Sequence, residues 1–290
     1  MGTPEHTTAG DSARRGSGLP AGLARACHPG AVVAVTTLTA ALAVISGRGP
    51  GGCVLVWAAV LAGQLSVGWC NDAFDARRDI AAGRLDKPVA DGAIGVGRVW
   101  AAAYAALALC VPLSLFCGLW AGAVHLGAVG AAWAYNLRLK STRWSWAPYA
   151  LGFAALPAFV RLGLPGHPWP PWWVLGAGAL LGIGAHLGDV LPDIRDDLAT
   201  GVQGWPQRLG PDRARLLLPV PLVIASALLA LGPPGPPGRR EVTALALVLL
   251  VAVTGTVLGR RRERLAFATA VVVAAVDVSL LLGGTGMGPV

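Results

Sequence analysis

Nine of the fifteen acidic side chains in this 290-residue chain stand in two short stretches. Asp72, Asp75, Asp79, Asp86 and Asp91 occupy the first, and Asp189, Asp193, Asp196 and Asp197 the second. In N-D-A-F-D-A-R-R-D, Asn71, Asp75 and Asp79 fall four residues apart, and in D-V-L-P-D-I-R-D-D, Asp189, Asp193 and Asp197 repeat that interval. On a helix, steps of four drift by only about 40°, so each trio predicts a stripe roughly 12 Å long on one face. Each stripe continues an apolar run, through Val67-Gly68-Trp69-Cys70 and through Ala185-His186-Leu187-Gly188, so these groups begin at membrane depth. An ionised Asp there costs on the order of 2.5–3.5 kcal/mol, and like-charged neighbours add repulsion. A counter-cation is required. Carboxylates without His or Cys ligands suit a hard ion, and Mg²⁺ takes one or two of them while completing its shell with water and substrate phosphate. Two facing stripes therefore describe a cradle for a diphosphate bridged by Mg²⁺. The plainer alternative is solvated loop acids with no metal, and two matched spacings weigh against it.

The elements that must position these stripes are written in the hydropathy. The chain is 54% hydrophobic and only 13% charged, with a mean hydropathy of +0.60, too little polar surface for a water-facing globule. Residues 1–24 are rich in Gly, Ser, Thr and Pro and read as a disordered lead, leaving 25–290 as one domain. Apolar blocks follow at Ala31–Ile45, Val54–Trp69, Val99–Phe116, Trp120–Tyr135, Trp146–Val160, Trp172–Leu187, Leu216–Leu231, Val242–Leu258 and Leu265–Leu282. Their lengths approach the roughly 20 residues that cross a bilayer. The expected fold is an all-α integral membrane protein, about nine transmembrane helices bundled around a central cavity open to the cytoplasmic side. The first block is read as a retained helix, because no small-residue cleavage site precedes the next loop. Five cysteines without a C-x-x-C pair argue against a disulfide framework or zinc site.

The basic residues set the orientation. With the N-terminus inside, 19 of the 23 Lys and Arg residues fall in inside segments, and only Arg48, Arg161, Arg239 and Arg240 lie outside. Both Asp-rich stretches then face the cytoplasm, in a multi-pass protein of the cell membrane. The net charge of +8 reads as this topology signal. It does not read as a nucleic-acid surface, since the charges sit in separate loops.

These residues resemble the UbiA family of intramembrane prenyltransferases, whose paired signatures are N-(D)-x-x-D-x-x-x-D after the second helix and D-x-x-x-D-x-x-x-D after the sixth. The stretch G-R-L-D-K-P-V-A-D-G-A-I at Gly83–Ile94 is similar to the segment that follows the family's first motif, and Y-N-L-R-L-K at Tyr135–Lys140 to the one closing its fourth helix. The resemblance implies that Asn71, Asp75, Asp79, Asp189, Asp193 and Asp197 hold Mg²⁺ on an isoprenoid diphosphate, with Lys140, and Arg138 near it, on the diphosphate itself. Asp75, Asp79, Asp189, Asp193 and Lys140 would then carry catalysis. Asp72 matches an additional Asp of many members, and Asp196 competes with Asp197 for the metal face. Pro192 removes an amide inside the second motif and bends the stripe. Arg25 and His28-Pro29 lie where members bring a basic residue toward the site.

The implied chemistry is departure of diphosphate, an allylic cation, and its capture by an aromatic or other lipophilic acceptor. Trp69, Phe74, Trp133, Tyr135, Trp146 and Phe153 could offer π faces to such a cation, although interfacial aromatics belong to every membrane protein. His186, one turn before Asp189, faces either the pocket or another helix. His125 and Asp277 read as buried helix-to-helix hydrogen bonds in preference to proton acceptors, and Gly178, Gly182, Gly184 and Gly188 as a close-packing face. A terpene cyclase of the same family, ionising a prenyl diphosphate with no acceptor, shares every motif. A CDP-alcohol phosphotransferase fits poorly, because Ala76 and not Gly follows Asp75. A cation-coupled transporter would want its acids at mid-helix.

Overall fold

The computed structural model describes residues 19–84, 86–259, 263–284 and 287, without the side chains of 258–266. Most of the expected lead, residues 1–18, lies outside the described residues. Every long element is a helix, and no strand occurs among the described residues. The order is α1 (Leu19–Ala26), α2 (Pro29–Ile45), α3 (Pro50–Ala81), α4 (Val96–Phe116), α5 (Leu119–Leu137), a 3₁₀ turn (Leu139–Ser141), α6 (Ala147–Leu162) and α7 (Trp172–Val190). A second 3₁₀ turn (Leu191–Asp193) leads into α8 (Ile194–Ala199), α9 (Trp205–Leu209), α10 (Pro211–Leu217), α11 (Pro219–Leu231), α12 (Arg239–Gly259) and α13 (Glu263–Gly283).

All nine apolar blocks are helical, the seventh being broken at Leu218, ahead of Pro219. By length and composition, five stretches suffice to cross a membrane: Pro50–Ala81, Val96–Phe116, Trp172–Ala199, Pro211–Leu231 and Arg239–Val257. The bent pair α1 and α2 would make a sixth. Large apolar side chains point outward on most of the long helices, among them Val54, Leu109, Phe116, Leu151, Leu250 and Val253. Water would not tolerate so continuous an apolar exterior.

One departure from expectation lies at the start. Residues 19–24, assigned above to a disordered lead, belong to α1, which meets α2 at 70°. Its Gly and Pro content reads as loop, and an isolated eight-residue helix would not persist in water. Tertiary contact rescues it. The Trp69 indole N–H donates to the Leu23 carbonyl at 2.9 Å, and Arg25 donates to the Asp91 carboxylate at 3.1 Å. The connecting His28 adopts φ 57°, a left-handed turn that swings the chain into α2. Gly68 permits this docking, because a Cβ there would strike the Cys27 carbonyl.

The helices pack round a closed ring: α2 on α3, α3 on α4 and α5, α5 on α6, α6 on α7, α7 on α11, α11 on α13, and α13 back onto α2. The glycine face of α7 does what its spacing predicts. A Cβ on Gly178 would sit 2.9 Å from the Phe153 carbonyl oxygen, and one on Gly182 would collide with the Tyr149 carbonyl, so α6 and α7 touch backbone to backbone. Gly184 instead accommodates Leu222 of α11. Gly182→Ala should therefore destabilise the protein by about 1–3 kcal/mol through overpacking. Gly127→Ala, where nothing lies within 4 Å, should leave it unharmed or slightly more stable. Melting temperatures in detergent check this, and equal melting of the two variants would refute it.

His125 and Asp277 serve helix packing. His125 Nδ1 lies 2.8 Å from the Ser114 hydroxyl of α4, and the Asp277 carboxylate accepts from Ser226 of α11. Both side chains are buried.

Candidate active site

The C-terminal ends of α3, α5 and α7 come together with the loops 82–95, 138–146 and 200–204 at one end of the ring. At 32 residues, α3 is about 48 Å long, well beyond a hydrocarbon core of roughly 30 Å, so its last turns extend past the apolar layer. Those turns carry the first motif on continuous α-helix, as the spacing predicts. Asp72, Asp75 and Asp79 are 2%, 7% and 5% exposed. Burial to that degree demands partners.

Each partner is a cation or a donor from elsewhere. Asp75 is claimed twice, by the Lys140 ammonium from the 3₁₀ turn after α5 and by Arg78 at 2.8 Å, one turn on. Asp72 accepts from Lys87 at 3.1 Å through Oδ1, while its Oδ2 is buried with no hydrogen-bond partner among the described residues. Asn71 Nδ2 and Lys87 Nζ both approach His28 Nε2, at 3.1 and 3.3 Å. An ammonium has only protons to offer, so that nitrogen accepts and the His28 ring is neutral with its proton on Nδ1. Of the two N-terminal groups the resemblance pointed to, His28 reaches the motif. Arg25 does not; it ties α1 to Asp91 and the Asp86 carbonyl.

The second motif is not one α-helical stripe. α7 ends at Val190, Leu191–Asp193 tighten into a 3₁₀ turn, and α8 restarts at Ile194. Pro192 offers no amide and its ring opposes the preceding turn, so the regular four-residue rotation is lost there. The three carboxylates consequently differ. Asp189 is exposed and accepts the Tyr149 hydroxyl at 2.6 Å, Asp193 is half-buried, and Asp197 accepts the Gln207 amide at 2.7 Å. Asp196 is exposed. Between the two competitors, Asp197 is the one turned toward the neighbouring structure.

Both motifs face the same space. Lys140 and Arg78 each act electrostatically on Asp197 as well as pairing with Asp75. Tyr135 stands within electrostatic range of Asp189, Asp197 and Asp75. Arg84, in the loop after α3, bonds Asp86 at 3.1 Å and feels Asp193 and Asp79. The Asp86 hydrogen bond and these carboxylates hold its guanidinium above the ordinary range, and Asp86 is correspondingly lowered by its bond to Arg84. Cations thus stand between two anionic walls.

Aromatic and polar residues fix the second wall. Tyr149 lies edge-on to Tyr135, with centroids 5.2 Å apart, and packs on His186 at 4.7 Å. His186 is buried and its Nε2 lies 3.0 Å from the Ser145 hydroxyl, which also accepts the Trp205 backbone N–H at 2.9 Å. The ring therefore joins α7 to the 200–205 loop. Arg138 is exposed at the end of α5 and touches none of the carboxylates described. Of the proposed aromatic lining, Tyr135 stands among the acids. Phe74 points outward, Trp69 holds α1, and Trp133 packs on Trp100 and Tyr104. Sequence reading singled out neither Tyr149, Gln207, Ser145, Arg78 nor Lys87 as a site residue. Lys87 sits in the quoted K-P segment, and Arg78 stands beside Asp79 in the motif itself, so both were within reach.

The donor set fits a hard cation that arrives with phosphate. Among the described residues no three His, Cys, Asp or Glu side chains close around a point, so no preformed protein-only cage exists. Mg²⁺ needs none, since it keeps water and phosphate ligands and takes only one or two carboxylates. The unpartnered Asp72 Oδ2, beside two further buried carboxylates, marks where positive charge is still wanted.

Comparison with known proteins agrees with this picture. The model of the UbiA prenyltransferase family matches residues 32–266. The chain is similar to a UbiA homolog from Archaeoglobus fulgidus bound to DMAPP and Mg²⁺ (TM-score 0.67, 17% identity, covering 89% of this chain and 97% of that one). It is likewise similar to an apo UbiA homolog from Aeropyrum pernix K1 (TM-score 0.66, 19% identity, 86% and 98%). A third similar structure is that of a digeranylgeranylglyceryl phosphate synthase (TM-score 0.68, 15% identity, 91% and 97%). At these identities the likeness establishes the fold. No curated protein matches the chain in sequence.

Proposed function

The chain belongs to the UbiA prenyltransferase family, and from that membership we propose that it transfers a prenyl group from an isoprenoid diphosphate to a lipophilic acceptor within the membrane, releasing diphosphate. One observation carries the reading: Lys140 pairs with Asp75 of the first motif and lies in electrostatic range of Asp197 of the second. Two anionic sets, the first buried and the second partly exposed, sharing one cationic wall suit a doubly charged, metal-loving headgroup better than any neutral ligand. The similar A. fulgidus structures with DMAPP or GPP and Mg²⁺ support the substrate class.

In this reading the chain from α1 onward forms one nine-span unit. The N-terminus and both motifs are cytoplasmic, and a central cavity opens on that side. The diphosphate end meets the motifs, and the isoprenoid tail lies among the apolar helices, which keep water from the cation. Asn71, Asp75 and Asp79 with Asp189, Asp193 and Asp197 would hold Mg²⁺, which when bound neutralises charge developing on the departing diphosphate. Lys140 is positioned to exchange its Asp75 partner for a phosphate oxygen, and Arg78 and Lys87 add positive potential beside it. The allylic C–O bond breaks with its electrons leaving on diphosphate. An electron-rich acceptor atom bonds to the carbon, and the acceptor's proton is lost to solvent or a nearby base. Tyr149 and Gln207 orient Asp189 and Asp197.

Purified protein supplied with a labelled prenyl diphosphate, Mg²⁺ and a membrane lipid extract should release diphosphate and form one prenylated species. EDTA should depress this by at least about a hundredfold, equivalent to roughly 2.7 kcal/mol of barrier, and added Mg²⁺ should restore it. Activity indifferent to chelation would overturn the reading. Hydrocarbon or terpene alcohol formed without any extract would replace transfer by cyclisation.

A further inference from the structure

At the end of the ring opposite the motifs, a cleft of about 520 Å³ opens between the start of α12 and the end of α13. Arg239, Arg240, Thr243 and Leu247 line it from α12, and Val276 and Ser279 from α13. Its mouth is cationic and hydroxyl-bearing, and its walls are apolar. Two of the four basic residues that break the charge bias of this chain stand there.

The two arginines are not equivalent. Arg240 donates to the Ser279 carbonyl at 2.6 Å and the Gly283 carbonyl at 3.0 Å, capping the last turn of α13 and tying the helices together. That explains its presence, since a cation at a helix C-terminus is favoured. Arg239 has no such reason. It occupies the first turn of α12, the positive end of that helix, is exposed, and has no ion pair or hydrogen bond among the described residues. Glu241, the acid nearest in sequence, turns its carboxylate back against Gly238, Oε2 standing 2.7 Å from where a Cβ on that glycine would be. Arg239 is therefore an uncompensated guanidinium at the rim of an apolar groove.

We propose that this cleft binds an anionic phospholipid, its phosphate on Arg239 and an acyl chain along Leu247 and Val276. A guanidinium grips phosphate through two parallel N–H donors, and Thr243 and Ser279 offer hydroxyls beside it. The groove continues from the polar end of the helices toward their apolar middle, which is the course of a phospholipid from headgroup to tail. A zwitterionic headgroup would bring its own cation to a site already short of negative charge, so the cleft discriminates by headgroup charge.

Native mass spectrometry of the full chain in detergent, offered phosphatidylglycerol and phosphatidylcholine with matched acyl chains, tests this. The parent protein should retain phosphatidylglycerol at least tenfold better. Arg239→Gln should bring that preference within twofold, and Leu247→Trp, which fills the groove, should reduce adducts of both lipids. Arg239→Lys keeps the charge and should retain a clear preference, so the test survives if the Gln variant does not fold. No preference in the parent, unchanged preference in Arg239→Gln, or equal binding of free glycerol phosphate would each overturn the proposal. Since Arg239 is remote from both motifs, prenyl transfer in these variants should stay at parent level. Failure here is thus separable from failure of the proposed activity.

Discussion

Asp75→Asn is expected to lower Mg²⁺-dependent diphosphate release by at least about a thousandfold, equivalent to roughly 4 kcal/mol of barrier. The substitution preserves shape and volume, so what it removes is charge. Asp75 is 7% exposed and compensates both Lys140 and Arg78. With an amide in its place, two cations are left close together in a partly dry site, and the metal loses a ligand from the middle of the first motif. The assay is initial-rate diphosphate release, beside size-exclusion and melting measurements showing that the variant still folds. Asp193→Asn should act alike from the other wall, although Asp193 is half-buried and its loss disturbs packing less. Near-parent turnover in either folded variant would reject the ligand assignment.

Lys140→Ala should raise the KM for prenyl diphosphate by about 10- to 150-fold, the range that a hydrogen bond to a charged group of 1.5–3 kcal/mol implies. The KM for the acceptor should change little. The asymmetry follows from where Lys140 points: it reaches Asp75 and lies near Asp197, both of which the diphosphate end would meet. Lys140→Arg keeps the charge and should recover part of the loss, whereas a lysine that merely marked topology would show no such rescue. Steady-state kinetics with each substrate varied in turn decide it, and equal losses toward both would remove Lys140 from the diphosphate site. Because the ammonium must trade a carboxylate for a phosphate, the parent's KM should also rise with salt.

How far the candidate site's local geometry is legible in the residue spacing differs between the two motifs. The first lies on uninterrupted helix, so four-residue intervals translate directly into one face. In the second the same intervals cross Pro192, and the turn it forces leaves Asp189 exposed while Asp193 and Asp197 are half-buried. The glycine spacing in α7 was equally readable, because only a missing Cβ allows Tyr149 and Gly182 to meet. The α1 helix was not, since its stability comes from Trp69 and Asp91, 46 and 66 residues away from the groups they bind.

By itself, the sequence determined that the chain is a helical membrane-type protein with two acid-rich helix ends on one side, because hydropathy, helical period and charge bias are local properties that short windows report. Which donor meets which acid was decided only by tertiary structure. Lys140 for Asp75, Lys87 for Asp72, Gln207 for Asp197 and Tyr149 for Asp189 are choices among many donors of suitable chemistry. They follow from how the 82–95 loop, α5, α6 and the 200–207 segment close over the motifs. A buried charge accepts whichever partner the packing delivers within about 3 Å, and no local pattern encodes that distance.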